Sequence, residues 1–137
     1  MYQYKLQLRV RYAETDQMGF VYYGNYATYY EVARVEALRS LGITYKSLEA
    51  KGILLPVLEN WSKFILPARY DDLLTIRVTL EKKPTTRLTF SYQVFNEEEK
   101  LVNLGGTTLV FVNRETEKPM MVPDFLMEVL KPYFNDR

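Results

Sequence analysis

The distribution of apolar and polar residues is most regular near the start of the chain. Over residues 4–12 apolar and polar residues alternate without interruption. Successive side chains of a β-strand point to opposite faces of the sheet, so this alternation predicts a strand with one buried face. Further along, the pattern predicts a meander of three strands at about 73–83, 86–95 and 101–113. Short polar turns join these three strands and favour antiparallel pairing.

One segment between the first strand and the meander has the period of a helix. Over residues 24–41, apolar residues recur at spacings of three and four positions, namely at Tyr26, Tyr30, Ala33, Ala37 and Leu41. This spacing places them on one face of an amphipathic helix. On the opposite face we expect Glu31 to pair with Arg34, and Glu36 with Arg39. The alanines in the stripe allow the helix to lie close to whatever covers it.

Three further segments complete the predicted elements. A short helix is expected over residues 45–51 and a terminal helix over residues 123–134. The long extended segment 53–66 carries apolar residues on both faces and contains Pro56, which favours a position at the edge of a sheet. An apolar edge strand tends to pair with another chain, so we expect a partner here. The pair Gly105 and Gly106 in the last strand indicates either a bulge or a close approach to the backbone.

These elements predict an α+β fold in a single domain, residues 1–137. An amphipathic helix with one apolar stripe needs one sheet face to cover it. The predicted architecture is therefore a curved antiparallel sheet of five strands wrapped around one long central helix. With 47% hydrophobic residues among its 137, the chain can bury one sizeable core.

Composition removes several kinds of chemistry. The chain has no cysteine and no histidine, which excludes disulfides, thiolate nucleophiles, serine–histidine hydrolysis and metal sites built on those ligands. Carboxylates, hydroxyls, amines and backbone dipoles remain for catalysis. A formal net charge of +1 provides no overall field that would attract nucleic acid or an anionic membrane. We find no export signal and no apolar run long enough to span a membrane, so we expect a cytoplasmic protein.

The loop at residues 14–26, between the first strand and the long helix, is the main candidate for an active site. It contains Asp16, and its segment 20–24 leads into the helix, where backbone N–H groups can bind a carbonyl oxygen. A carboxylate on the other side of that carbonyl could attack it or deprotonate a water molecule. Such a pair would perform acyl transfer without histidine. An aspartate before a helix also often serves only as a cap or a turn residue.

Other side chains could contact a substrate, although each also has an ordinary structural explanation. Tyr22 and Tyr23 are suited to the wall of a pocket, because a tyrosine is apolar along its length and polar at its tip. Glu59 could face a pocket near a subunit boundary or be a solvated edge residue. Phosphate groups could be bound by basic residues that are equally typical of a solvated surface, namely Arg69, Lys82, Lys83, Arg87 and Arg114.

Two motifs resemble those of a known family. The first, over residues 9–26, reads Arg-Val-Arg-Tyr-Ala-Glu-Thr-Asp-Gln-Met-Gly-Phe-Val-Tyr-Tyr-Gly-Asn-Tyr, and the second, over residues 67–72, reads Pro-Ala-Arg-Tyr-Asp-Asp. Together they resemble the hot-dog-fold acyl-CoA thioesterases of the 4-hydroxybenzoyl-CoA thioesterase family. Within that family the chain is most similar to the small bacterial thioesterases associated with the Tol–Pal system. The resemblance covers nearly the whole chain and agrees with the predicted order of elements.

This resemblance implies the hot-dog fold, a curved sheet around a long helix, in chains that pair edge to edge as homodimers or homotetramers. It implies hydrolysis of an acyl-CoA thioester to the free acid and CoA, without a metal or other cofactor. The family's catalytic aspartate corresponds to Asp16, and its oxyanion-binding backbone amide corresponds to that of Tyr23. Substrate contacts are then expected from Tyr22, Gly24, Tyr26, Glu59, Arg69 and Arg87.

One position differs from part of the family. Many Tol–Pal-type members have histidine where this chain has Tyr23, whereas the 4-hydroxybenzoyl-CoA enzymes have tyrosine. Because a backbone amide is retained whatever the side chain, thioesterase activity is still expected. Two alternatives stay open: a thioesterase that acts on acyl carrier protein, and a hot-dog module that binds acyl-CoA without catalysis.

Overall fold

A five-stranded antiparallel sheet is the main element of the computed structural model, which describes residues 1–134. In chain order the strands are β1 (Tyr2–Arg9), β2 (Ile53–Leu54), β3 (Val57–Phe64), β4 (Leu73–Leu80), β5 (Arg87–Phe95), β6 (Leu101–Val110) and β7 (Val112–Asn113). The large sheet has the order β1-β4-β5-β6-β3, and β2 pairs with β7 in a separate two-stranded sheet. The prediction of a five-stranded antiparallel sheet is confirmed.

The first strand ends earlier than its alternation predicts. β1 ends at Arg9, and Tyr12, which was expected on the buried face, is 77% exposed. Val10 still follows the register of β1 with β4, because its N–H donates to the Asp72 carbonyl oxygen at 2.9 Å, and the chain leaves the sheet after it. A 3₁₀ turn then follows over Tyr12–Glu14. Alternation alone does not show where a chain turns away from its sheet.

The segment predicted as one strand over residues 53–66 forms two strands in different sheets. Pro56 separates them, since it has no N–H for a sheet hydrogen bond. β2 precedes this proline and pairs with β7, while β3 follows it and pairs with β6. Because β3 is the last strand of its sheet, the predicted edge position is confirmed. Most of its side chains are exposed, among them the apolar Val57, Leu58, Trp61 and Phe64.

The α-helices of the described part are α1 (Asn25–Ser40), α2 (Tyr45–Ala50) and α3 (Asp124–Leu130). α1 buries most of its predicted stripe, and Tyr30 stacks on Tyr92 of β5 with the ring centroids 4.1 Å apart. α3 ends earlier than residue 134 because Pro132, which lacks an N–H, lies in a 3₁₀ turn after it. No helix within residues 1–134 is both long and apolar enough to cross a membrane.

One of the two charge pairs predicted on α1 is wrong. Arg34 is only 5% exposed, and its Nε donates to the Tyr45 hydroxyl of α2 at 3.2 Å. The docking of α2 thus places Arg34 in the interior, whereas Glu31 is exposed. The second pair is confirmed, with Arg39 Nε 3.3 Å from Glu36 Oε1. Residue spacing along one helix does not reveal which other element packs against it.

Gly105 and Gly106 of β6 mark a close approach, which is one of the two predicted possibilities. A Cβ on Gly105 would overlap the Tyr30 hydroxyl, and a Cβ on Gly106 would overlap the indole nitrogen of Trp61. Pairing with β3 and β5 is continuous through both residues, so no bulge lies there. The missing side chain at Gly105 therefore allows α1 to lie directly on the sheet.

Candidate active site

The loop between β1 and α1 is closed into a tight turn by Asp16. Its Oδ1 accepts hydrogen bonds from the backbone N–H groups of Met18 at 2.9 Å and Phe20 at 3.2 Å. The Asp16 N–H donates to the Phe20 carbonyl oxygen at 2.8 Å, and Gly19 supplies the positive φ of 80° that the turn requires. This carboxylate therefore has a structural role, but only through one oxygen. Its Oδ2 accepts no hydrogen bond from residues 1–134.

A buried carboxylate, Glu14, holds the loop from its other end. Oε1 accepts hydrogen bonds from the Arg11 backbone N–H at 2.8 Å and from the Tyr29 hydroxyl at 3.0 Å. Oε2 accepts from Arg11 Nε at 3.1 Å and Nη2 at 2.7 Å. Burial opposes ionisation, but the hydrogen bonds from Arg11 and Tyr29 outweigh it and hold the pKa of Glu14 below its ordinary value. Because Tyr29 belongs to α1, this carboxylate joins the loop to the helix.

The start of α1 leaves backbone amides unused. Gly24 is the residue that caps the helix. On either side of it, the Tyr22 N–H donates to the Glu14 carbonyl oxygen at 2.8 Å and the Asn25 N–H donates to the Tyr22 carbonyl oxygen at 2.9 Å. Among the hydrogen bonds of residues 1–134, none uses the amide of Tyr23 or of Gly24. Such free donors at a helix N-terminus can bind a carbonyl oxygen or an oxyanion.

A cavity of about 320 Å³ brings the two predicted catalytic residues together. Asp16 and Tyr23 both line it, and Tyr26 of α1 forms part of its wall. Most of the remaining wall is apolar and includes Met18, Phe20, Val21, Phe64, Ile65 and Leu66. The rings of Tyr23 and Tyr26 both meet the Phe64 ring of β3 edge-on, with centroids 6.3 Å and 5.6 Å away. A carboxylate and a residue with an unused amide therefore share one largely apolar cavity.

The protonation of Tyr26 limits which group in this cavity could act as a base. Tyr26 is 3% exposed, and burial raises its pKa to about 12. Its phenol therefore stays neutral near neutral pH and does not accept a proton. Among the lining residues within 1–134, Asp16 is the only one that carries a carboxylate. Asp16 is therefore the candidate base of this cavity.

The neighbouring predicted contacts lie beside this cavity. Gly24 follows Tyr23 in the chain, and a Cβ at Gly24 would lie 2.9 Å from the Tyr22 ring, so glycine lets that ring pack over the backbone. Tyr22 is outside the cavity wall, with its ring centroid 4.6 Å from that of Tyr23. Arg69 is exposed, and its guanidinium lies 5.1 Å from the centroid of the Phe20 ring.

The last two predicted contacts lie elsewhere on the chain. Glu59 is exposed on the edge strand β3 and does not line the cavity. Arg87 lies at the start of β5 and lines a different cavity, of about 450 Å³, together with Lys82 and Lys83. Within one chain, the structure thus brings together Asp16, Tyr23 and Tyr26, while Glu59 and Arg87 stay apart from them.

Three residues that shape the site had no role in the sequence prediction. Glu14 and Asn25 both lie in the motif over residues 9–26, and the Asn25 Nδ2 donates to the Glu14 carbonyl oxygen at 2.8 Å. Their place in the motif was the available signal, but the partner that joins Glu14 to α1, Tyr29, lies outside the motif. Phe64 was placed only on one face of a strand, because nothing in the local pattern links β3 to the loop before α1.

Comparison with known proteins identifies the family. The sequence profile of the Thioesterase superfamily matches residues 18–103. YneP of Bacillus subtilis, provisionally named an acyl-CoA thioesterase, is 32% identical over 85% of this chain and 84% of its own length. The acyl-CoA thioester hydrolase YbgC of Escherichia coli O6:H1 is 30% identical over 93% of this chain and 96% of its own length. The crystal structure of a DHNA-CoA thioesterase from Staphylococcus aureus aligns with a TM-score of 0.89 at 32% identity, over 97% of this chain and 89% of that one. These matches confirm the resemblance found in the sequence: the chain belongs to the thioesterase superfamily.

Proposed function

We propose that the protein hydrolyses acyl-CoA thioesters to the free acid and CoA, with Asp16 as nucleophile or general base and the Tyr23 amide as oxyanion donor. One observation carries this proposal. Asp16 and Tyr23 line the same cavity, and each has a reactive or binding group, Oδ2 and the amide N–H, that no residue among 1–134 engages. The names of the similar proteins, an acyl-CoA thioesterase and an acyl-CoA thioester hydrolase, support the same reaction.

The reaction needs two groups on opposite sides of the thioester carbonyl. Backbone N–H donors at the start of α1 polarise the carbonyl oxygen and stabilise the oxyanion that forms when the carbon is attacked. Asp16 either attacks that carbon, forming an acyl-aspartyl anhydride that water then hydrolyses, or deprotonates the water that attacks. On either route the C–S bond breaks, and CoA leaves as a thiolate that takes up a proton. The hydrogen bonds to Oδ1 restrict rotation of the carboxylate.

A thiol-release assay tests this proposal, using acetyl-, octanoyl-, palmitoyl- and benzoyl-CoA as substrates. Asp16→Asn should lower kcat on the best of them by about two or more powers of ten, because the amide is neither nucleophile nor base. The fold should be retained, since the asparagine oxygen can still accept from Met18 and Phe20. Asp124→Asn is the matched control, because Asp124 is exposed in the first turn of α3. Near-wild-type rates for Asp16→Asn would contradict the assignment.

The same assay distinguishes the proposed function from the two alternatives, a thioesterase that acts on acyl carrier protein and a module that binds acyl-CoA without catalysis. Presenting one acyl group on CoA and on acyl carrier protein shows which carrier gives the higher kcat/KM, and we expect CoA. A module that only binds acyl-CoA would show saturable binding of the panel by calorimetry and no thiol release. The Asp16 carboxylate favours catalysis, because binding a neutral thioester does not require a carboxylate beside it.

We further propose that α1 is the central helix of a hot-dog fold and that β3 pairs with β3 of a second copy, in a homodimer or homotetramer. The buried stripe of α1 against the sheet supports the first part, and the exposed apolar edge of β3 supports the second. Phe64 of β3 lines the cavity, so such pairing would place the partner close to it. In that assembly Glu59, Arg69 and Arg87 are the side chains expected to contact the substrate, with the two arginines at the phosphates of CoA.

A further inference from the structure

Glu14 is bonded to both sides of the proposed site, although it does not line the cavity. It lies two positions before Asp16 and ends the 3₁₀ turn that follows β1. Its carbonyl oxygen accepts hydrogen bonds from the Tyr22 N–H and from Asn25 Nδ2, both at 2.8 Å. These two donors are the residues on either side of the Tyr23–Gly24 pair. The backbone that carries the unused amides is therefore anchored to Glu14 at both ends.

The Glu14 carboxylate provides a second connection between the same parts. It binds the Tyr29 hydroxyl of α1 at 3.0 Å and the Arg11 guanidinium through Nε and Nη2. Tyr29 in turn meets Tyr26 edge-on, with the ring centroids 5.6 Å apart, and Tyr26 forms part of the cavity wall. Glu14 thus joins the turn that carries Asp16 to α1, which supplies Tyr26 of the wall and directly follows Tyr23 and Gly24.

Burying a carboxylate is costly, and a surface turn does not require one. Glu14 is 8% exposed, so its charge is largely removed from water. Four hydrogen bonds from Arg11 and Tyr29 offset that cost. Moving Arg11 or Tyr29 away from Glu14 would leave the buried carboxylate without these bonds, so the bonds oppose relative movement of the groups that they join. In this chain the bonded parts are the Asp16 turn and the N-terminus of α1.

We propose that Glu14 is a positioning residue, which holds the Asp16 carboxylate at a fixed separation from the Tyr23 amide. Attack on a carbonyl and stabilisation of its oxyanion must occur on one substrate at the same time, so the reaction rate depends on that separation. Neither oxygen of Glu14 touches the substrate in this arrangement. The inference rests on the proposed function, because it assigns Glu14 to the same site.

The test compares three variants with the wild-type protein on the acyl-CoA of the panel that is hydrolysed fastest. Glu14→Gln keeps the shape but presents a donor to Arg11 in place of an acceptor, and should lower kcat by about 10-fold or more while KM changes by less than about 3-fold. Tyr29→Phe removes only the link between the Glu14 carboxylate and α1 and should lower kcat by about 2- to 10-fold. Glu36→Gln is the matched control. It breaks an exposed Arg–Glu pair with the same three-residue spacing on α1, and it should change neither kcat nor KM.

Hydrogen–deuterium exchange of residues 15–26 supplies a readout that does not depend on turnover. Faster exchange in this segment of Glu14→Gln and Tyr29→Phe, with the sheet unchanged, is the expected result. Wild-type kcat in both variants, or an equal loss of protection throughout the chain, would overturn the positioning role. If Glu14→Gln does not fold, Tyr29→Phe alone decides. If the wild-type protein hydrolyses none of the panel, the proposed function fails, and the exchange data still decide whether Glu14 orders the segment.

Discussion

Tyr23 offers the proposed reaction two different groups, a backbone amide and a phenol. Tyr23 is 64% exposed, while its amide, just before α1, has no hydrogen-bond acceptor among residues 1–134. Because Tyr23→Phe leaves the backbone unchanged, the variant should keep kcat within about 3-fold of wild type if the amide is the oxyanion donor. Steady-state thiol release measures this, with Tyr133→Phe as the control for losing an exposed phenol outside the cavity. A loss of about 100-fold would instead assign proton transfer to the phenol.

The free energy of unfolding should depend on pH because the Glu14 carboxyl ionises. Burial raises the pKa of this carboxyl, but the hydrogen bonds from Arg11 and Tyr29 more than compensate, so its pKa in the folded chain lies below 4.5. A depressed pKa means that the carboxylate form of Glu14 is favoured over the carboxylic acid more strongly in the folded chain than in the unfolded chain. The resulting stabilisation is fully present above pH 4.5 and is lost as the pH falls through the folded-state pKa.

Glu14→Gln cannot titrate, so it isolates this contribution. Urea unfolding of the wild type and the variant should give a difference in unfolding free energy that is largest near about pH 7 and shrinks towards about pH 3. The Arg11 side chain is largely exposed, which keeps the difference small. If the difference in unfolding free energy does not vary with pH, Glu14 and Arg11 contribute to stability through packing rather than through charge.

The contact between α1 and β6 depends on one missing side chain. At Gly105 a Cβ would overlap the Tyr30 hydroxyl, and Tyr30 is fully buried against Tyr92. Gly105→Ala should therefore destabilise the fold by about 1–3 kcal/mol, because either the helix or the ring must shift. Thermal unfolding measures the loss, and Ser91→Ala on the neighbouring strand β5 is a control that adds no atoms. An unchanged melting temperature for Gly105→Ala would mean that α1 does not lie on β6 as described.

Elements with a long, regular pattern could be predicted, and their ends could not. The stripe of α1 and the meander β4–β5–β6 follow from side-chain periodicity, which local sequence records directly. After β1 the chain enters a 3₁₀ turn whose last residue, Glu14, is bonded to Tyr29 of α1, and the burial of Arg34 depends on Tyr45 of a different helix. These partners come together only after folding. Local spacing therefore predicted the elements but not the contacts that terminate or bury their residues.

For the whole molecule, the main prediction is that two copies pair along the exposed edge of the sheet. β3 has one sheet neighbour, β6, and its exposed residues include Leu58 at 54% and Trp61 at 50%. If two copies pair there, Leu58→Glu combined with Trp61→Glu should convert the dimer or tetramer to monomers, because like charges would face each other across the two-fold axis. Sedimentation velocity measures this. Met121→Glu is the control, since Met121 is equally exposed and outside β3.

A wild-type protein that sediments as a monomer would contradict the proposed pairing. In that case the cavity within one chain would be the complete site. Any thiol release by the monomer would then rely on Asp16 and Tyr23 without residues from a partner. An oligomeric wild type that stays oligomeric in the doubly substituted variant would place the contact elsewhere on the surface.

The sequence by itself determined which groups are available for catalysis and which residues are the candidates. Without histidine or cysteine, carboxylates, hydroxyls, amines and backbone dipoles remain, and among these the resemblance of the motif over residues 9–26 to a known family selected Asp16 and Tyr23. Only the tertiary structure decided that both line one cavity, that the Tyr23 amide finds no acceptor in the described part of the chain, and that Glu14 is bonded to both parts of the site. The physical reason is that a residue's chemistry is a local property, whereas its hydrogen-bond partners and burial are set by distant elements such as α1 and β3.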